Sequence, residues 1–312
     1  MKRLIFLAAL LLYTSISVAQ SADTLYIDAD GVKLHTVLCK PGKAKKNSLA
    51  IIIAGSGPTD LNGNQKNMVH NSLLFLSDEL VKNNIATVRF DKRGVAKSAY
   101  SGLDESLLTF ERFADDVVVL IDYFKSIGYK KIYLIGHSEG SLLGLIAAQK
   151  RDVKGFVSLC GAGNPIDVVL RKQVKPQLPE AAYVQFNEIL DSLKGGHMVK
   201  SVPPYLNSLF RQSVQPYMIS WLRFDPAELV RSARTPILII QGANDIQIDI
   251  QEAEALHAAI PDNKFMTISR MNHVLKTVEG DRKENIASYS NPNLPVNSQL
   301  IELLTGFISR IN

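Results

Sequence analysis

The segment Gly136-His137-Ser138-Glu139-Gly140 constrains this chain more than any other. It follows the apolar run Ile132-Tyr133-Leu134-Ile135 and passes at once into Ser141-Leu142-Leu143-Gly144-Leu145-Ile146-Ala147-Ala148. A strand that turns directly into a helix needs a bend so tight that glycines stand two residues either side of the central one. The central residue itself is then forced into a strained conformation. Such a segment requires a buried strand whose C-terminal end is topped by a helix. The serine at the bend is lifted clear of the sheet and faces the helix N-terminus, which favours developing negative charge. Ser138 is therefore a candidate nucleophile. The pentapeptide alone carries little weight, because matches arise by chance; the strand before it and the helix behind it give it meaning.

Two further residues in a fixed order support that role. Pro236 to Gly242 reads as a buried strand, with Asp245 just past its end. Lys264 to Ser269 reads as another, followed by Arg270-Met271-Asn272-His273. The order nucleophile, acid, histidine differs from that of the chymotrypsin and subtilisin types. Each candidate lies beyond the C-terminal end of a strand, where open parallel sheets carry their sites. His273 alone among the six histidines follows a strand after the acid. Asp245 is preferred over Asp249, which is expected to cap the helix marked by Glu252, Ala255, Leu256 and Ala259.

On these motifs the chain resembles the α/β-hydrolase superfamily, and within it bacterial esterases and serine aminopeptidase-like hydrolases. The resemblance extends over nearly everything after the first twenty or so residues and is weakest over residues 164–233. It implies an α/β fold: a mostly parallel eight-stranded sheet wrapped by helices, with a helical cap inserted over the site. It also implies an oxyanion hole made by two backbone N–H groups, one on Glu139 after the nucleophile and one in the loop after the third strand. That loop begins Gly55-Ser56-Gly57-Pro58, and Ser56 is the expected donor. Related hydrolases usually read His-Gly-x here. Ala54 replaces the histidine, without consequence for a backbone donor.

The expected chemistry is acyl transfer through Ser138, His273 and Asp245, with no metal or organic cofactor. A small-molecule ester is the leading substrate class. A serine aminopeptidase-like activity on short peptides is the alternative; it would need cap carboxylates such as Glu180, Glu188 or Asp191 to grip an ammonium group. Thioesterase activity, or a non-catalytic binding role on the same fold, ranks lower.

The first nineteen residues read as a cleavable leader rather than as part of the fold. Lys2 and Arg3 precede the apolar residues 4–12, and Ser17-Val18-Ala19 offers small residues at a cleavage site. The apolar run falls short of the roughly 20 residues that span a bilayer. The expected location is therefore the periplasm or the exterior, without stable membrane insertion after cleavage. Removing two positive and no negative charges takes the net charge from +5 to +3, too little to suggest a nucleic-acid partner. The expected division is residues 20–163 and 234–312 as core and 164–233 as the cap.

Strand and helix signals alternate up to residue 163. Thr24 to Asp28 and Val32 to Leu38 flank an Asp30-Gly31 hairpin turn. Helices are marked by Leu73, Leu76 and Leu80, and by Phe110, Val117, Leu120, Ile121 and Phe124. Residues 164–233 then bring seven prolines and helical patterns without a clear strand. Tyr183, Phe186, Met198, Tyr205, Phe210, Tyr217 and Trp221 are candidates there for a pocket wall, although such residues more often form the segment's own small core. The loop from Gly55 to Asn67 is expected to form one rim. Its Asp60-Leu61-Asn62-Gly63-Asn64 is read as turn chemistry, since no glutamate completes a calcium loop. Arg93 and Ser98 are expected to be structural, and His137 to point away from the site. An exported protein permits a disulfide between Cys39 and Cys160, but buried, unpaired thiols are the expected state, with no neighbouring base and no metal-ligand spacing.

Overall fold

A computed structural model describes residues 21–42 and 48–311; the leader read from residues 1–19 lies outside them. The chain opens with an antiparallel hairpin, β1 (Ser21–Ala29) and β2 (Val32–Lys40). Asp30 and Gly31 both take positive φ at its turn, as the Asp-Gly signal requires. The alternation continues through β3 (Ser48–Ile53), α1 (Ser72–Lys82), β4 (Ala86–Phe90), α2 (Phe110–Ser126), β5 (Lys131–His137), α3 (Glu139–Lys150) and β6 (Gly155–Leu159).

An all-helical stretch follows: α4 (Ile166–Val174), α5 (Glu180–Lys194), α6 (Asn207–Phe210), α7 (Gln215–Trp221) and α8 (Pro226–Arg231). The chain then returns to β7 (Ile237–Gly242), α9 (Ile250–Ala259), β8 (Lys264–Ile268), α10 (Arg282–Ser288) and α11 (Ser298–Arg310). The eight strands form one sheet in the order β1-β2-β4-β3-β5-β6-β7-β8. Pairing is parallel from β4 to β8 and antiparallel at β1-β2 and β2-β4.

The two-residue period of β3 shows how the sheet is wrapped. Leu49, Ile51 and Ile53 face a cluster with Phe110, Val117, Leu120 and Phe124 of α2 and Leu142 and Leu143 of α3. Ala50, Ile52 and Ala54 face the other side, against Leu73, Leu76 and Leu80 of α1 and Leu300, Leu304 and Phe307 of α11. Central parallel strands buried on both faces read as continuous apolar runs for this reason. The helical stretch has a core of its own, in which Phe186, Leu190, Leu193 and Phe210 are fully buried. Among the described residues no helix is long and apolar enough to cross a membrane.

The entry to the helical stretch is pinned to α9. Glu252 is buried, and its Oε2 accepts the backbone N–H groups of Gly163 at 3.0 Å and Asn164 at 2.9 Å. Gly163 packs so closely on α9 that a Cβ there would collide with the Glu252 backbone. Glu252→Ala is expected to lower stability by about 2–3 kcal/mol, since it strands two donors that are poorly hydrated. Urea unfolding at neutral pH measures this loss.

Asp249 departs from expectation. It occupies the N-cap position of α9, but its side chain caps nothing and pairs instead with Lys172 of α4. Both cysteines are buried and unpaired.

Candidate active site

The sheet's order places the candidate groups past the ends of β5, β7 and β8, with β6 between the first two. β3 and β5 are neighbours, and the chain leaves them in opposite directions across the sheet. Their C-terminal ends thus form the crevice in which open α/β sheets bind ligands. Ser138, between β5 and α3, has φ 55° and ψ −122°, a strained backbone for a residue with a side chain. Its N–H is held by Leu159 O at 2.9 Å. The flanking glycines are obligatory. A Cβ on Gly136 would strike the Gly140 carbonyl, and one on Gly140 would strike the carbonyls of Ile53 and Ala54.

Asp245 and His273 meet from the ends of β7 and β8, with Asp245 Oδ2 and His273 Nδ1 2.7 Å apart. The other carboxylate oxygen accepts the N–H groups of Gln247 at 2.8 Å and Ile248 at 2.9 Å. Burial works to raise the Asp245 pKa. The charge of His273 and these hydrogen bonds outweigh it and hold the carboxyl below its ordinary value. The histidine loop is pinned by Asn272, whose side chain donates to Asn285 and Ser288 of α10 and accepts the N–H of Lys276. Ser138 Oγ and His273 Nε2 form no hydrogen bond to any described residue.

A pocket of about 520 Å³ opens at Ser138. Ser56, Gly57, Pro58 and Gln65 of the β3–α1 loop form one rim, as the sequence suggests. Phe113 and Leu142 of the core, and Val169, Leu209, Tyr217 and Trp221 of the helical stretch, supply its apolar wall. Of the seven pocket candidates in that stretch, only Tyr217 and Trp221 reach the cavity. Phe186 and Phe210 form its core, and Met198 and Tyr205 are exposed.

The charged lining was not foreseen. Glu139 lies in the wall with its carboxylate buried, accepting Lys92 Nζ at 3.1 Å and the Tyr217 hydroxyl at 2.7 Å. Burial, then the Glu139 charge, pushes the Tyr217 pKa well up, so the phenol stays a donor. Nearer the rim, Glu105 pairs with Arg211 and accepts the Ser213 hydroxyl. Glu180, Glu188 and Asp191 are not part of the wall, and Asp191 pairs with Arg171.

Other expectations resolve as follows. Arg93 lines the pocket, yet its guanidinium is engaged by Asp116 and the Ala29 carbonyl; Ser98 bridges Asp91 O and His35 N–H. His70 is buried beside the Ser72 N–H rather than in the cavity. His137 turns away from the cavity but is not idle. Its Nε2 lies 2.8 Å from the His273 backbone oxygen, and the two rings sit 4.9 Å apart. Cys160 corrects an expectation outright: its sulfur comes within 4.8 Å of Asp245 and His273 ligand atoms. Burial, then Asp245, pushes its pKa well up, which keeps it an unreactive thiol.

An eight-stranded, mostly parallel sheet with a serine elbow after β5, an acid after β7 and a histidine after β8 is the α/β-hydrolase fold. The family model described as serine aminopeptidase, S33, matches residues 71–194. Esterase EstD of Thermotoga maritima is 23% identical over 239 residues, which cover 74% of this chain and 55% of that protein. Human serine hydrolase BPHL is 34% identical over 137 residues, 44% of this chain and 38% of that protein. The chain thus matches about half the length, or less, of these curated relatives. Among solved structures, Est1E from Butyrivibrio proteoclasticus with bound ferulic acid superimposes with a TM-score of 0.60 at 20% identity, over 92% of this chain and 98% of that one. The chain thus has the α/β-hydrolase fold and is similar to serine aminopeptidase and esterase members of it.

Proposed function

We propose that this protein is a serine carboxylesterase acting on small to medium acyl esters, exported by the leader-like first nineteen residues. The observation that carries the reading is Ser138 on the pocket wall at the strained turn after β5, together with the hydrogen-bonded pair Asp245 and His273 past the ends of β7 and β8. His273 takes the proton of Ser138 as the hydroxyl attacks the ester carbonyl. Asp245 holds the imidazole in the tautomer that leaves Nε2 free and stabilises it once charged. The N–H groups of Ser56 and Glu139 receive the oxyanion. His273 then gives the Ser138 proton to the departing alcohol oxygen as the ester C–O bond breaks. Water that His273 activates hydrolyses the resulting acyl-enzyme to free the acid and Ser138. The missing Ser138–His273 hydrogen bond does not oppose this, because such contacts often tighten only when substrate binds. Residues 164–233 act as the cap, and Tyr217 and Trp221 shape the acyl site.

Ester is favoured over a free N-terminal amine by the state of the wall's carboxylates. A substrate ammonium group needs an anionic partner, and Glu139 is already engaged by Lys92 and Tyr217, as Glu105 is by Arg211 and Ser213. The proteins that this chain resembles include esterases, in keeping with the same choice. A pocket of this size matches the usual range for small-molecule sites, about 300–1,000 Å³.

The test is a panel of p-nitrophenyl esters from acetate to laurate, methyl ferulate and aminoacyl arylamides. Turnover of the esters, at least about 100-fold above the arylamides in kcat/KM, is the expected outcome; it corresponds to roughly 2.7 kcal/mol of discrimination. Preference for the arylamides would replace this reading with the aminopeptidase.

A further inference from the structure

Gly55 O and Ser56 N–H belong to one peptide unit. No cis peptide bond occurs among the described residues, so these two groups point to opposite sides of a planar amide. Lys92 Nζ occupies the carbonyl side and donates to Gly55 O at 2.6 Å. Gly55 also abuts the nucleophile, since a Cβ on it would lie 3.1 Å from Ser138 Cβ. The Ser56 N–H donates to no described residue.

We propose that Lys92 is a positioning residue for the oxyanion hole: by holding the Gly55 carbonyl it aims the Ser56 N–H at the oxygen of a carbonyl attacked by Ser138. The chemistry rests on the esterase reading above. The same ammonium binds the side chain of Glu139, whose own backbone N–H is the other donor. One buried cation therefore ties the Gly55–Ser56 peptide to Glu139. Tyr217 completes the arrangement by donating to the second oxygen of Glu139 from the helical stretch.

A simpler account makes Lys92 the counter-ion of Glu139 and nothing more. The distances argue against it, because the contact to Gly55 O is the shorter, at 2.6 Å against 3.1 Å. The side chain is only 4% exposed, and apart from the Phe113 ring face at 5.8 Å these two oxygens are its partners. A charged donor on the carbonyl also polarises the amide and strengthens the N–H at its other end. Without it the Gly55 carbonyl has no hydrogen-bond partner among the described residues.

The deciding experiment compares Lys92→Met with wild type on a p-nitrophenyl ester and on the matching thionoester, whose sulfur accepts poorly from N–H donors. Loss of one oxyanion donor lowers kcat by about 10²–10³-fold. Lys92→Met is expected to lose on the order of 100-fold in kcat on the oxygen ester, with KM within about threefold and the thionoester rate within about threefold. Equal losses on both substrates would mean general damage to the site and would overturn the proposal, as would an unchanged ester rate.

Lys92→Met leaves Glu139 as an uncompensated buried charge. The double variant Lys92→Met/Glu139→Gln removes that charge while keeping an acceptor for Tyr217, and it is expected to show the same split between the two substrates. If wild type cleaves no ester, the esterase reading falls, and Lys92 is judged by the rate at which a fluorophosphonate labels Ser138. Its phosphoryl oxygen enters the same hole, so labelling at least about tenfold slower in the variant supports the proposal. Equal rates, or no labelling of wild-type Ser138 at all, overturn it.

Discussion

Ser138→Ala is expected to reduce kcat on a p-nitrophenyl ester by about 10⁶-fold, or about 8 kcal/mol of transition-state stabilisation, the size found when a triad serine is removed. Binding should survive, because the pocket wall is intact and Ser138 Oγ holds no protein partner. KM, or the Kd of a product acid, is expected to stay within about threefold of wild type. Stability should hardly change, since alanine keeps the Ser138 N–H bond to Leu159 and leaves the glycine clearances alone. His273→Ala should cost nearly as much, whereas Asp245→Asn should cost about 10⁴-fold by favouring the wrong tautomer. A Ser138→Ala enzyme retaining more than about 1% of wild-type turnover would place the nucleophile elsewhere, because oxyanion stabilisation and binding alone leave far less. The loss should be strongly non-additive, with the Ser138→Ala/His273→Ala double variant hardly worse than either single change.

These expectations come from the parts of the site that the sequence displays most openly. The elbow is local: its glycines are required by contacts within a few residues and with the adjacent strand, and the apolar strand and helix flank it directly. Asp245 and His273 are distant in sequence, but each lies just past a strand end, and the order of strands brings those ends together. The polar lining has no such rule. Glu139 finds Lys92 47 residues away and Tyr217 78 residues away, and no periodicity encodes those meetings.

The aromatic residues of the helical stretch illustrate the same limit. Spacing identifies Phe186 and Tyr217 alike as apolar-face residues, but only packing decides that one fills a core and the other borders a cavity. Asp249 satisfied the local rule for a helix cap, and a lysine from α4 displaced that role. Cys160 closes β6 as an ordinary buried thiol, and its place beside Asp245 follows only from the pairing of β6 with β7.

Acidification is expected to destabilise the fold well above the range where exposed carboxylates titrate. Burial, then the charges of Lys276 and His273, holds His70 down to about 4; burial, then His273, holds His137 down to about 3. Both start from an ordinary value of 6.5. Each is therefore neutral in the native state while the unfolded chain takes up protons as the pH falls below 6.5. Their stabilising contribution is complete above that value and is lost as the pH drops toward the folded values. Between pH 7 and pH 4 each histidine withdraws about 3 kcal/mol, at 1.36 kcal/mol per unit.

Asp116 acts in the opposite sense. Burial, partly countered by Arg93, pushes its carboxyl up to about 6, so the native state binds a proton there before the unfolded chain does. That returns about 2.4 kcal/mol over the same interval, leaving a net loss of about 3.5 kcal/mol at pH 4. Asp245, held below its ordinary value, adds its loss only at lower pH still. Urea unfolding at pH 7, 5.5 and 4 measures the slope, and His70→Gln is expected to flatten it by about one proton. Stability that stays level from pH 7 to pH 4.5 would mean that the buried histidines are already charged, or accessible to water, in the native protein.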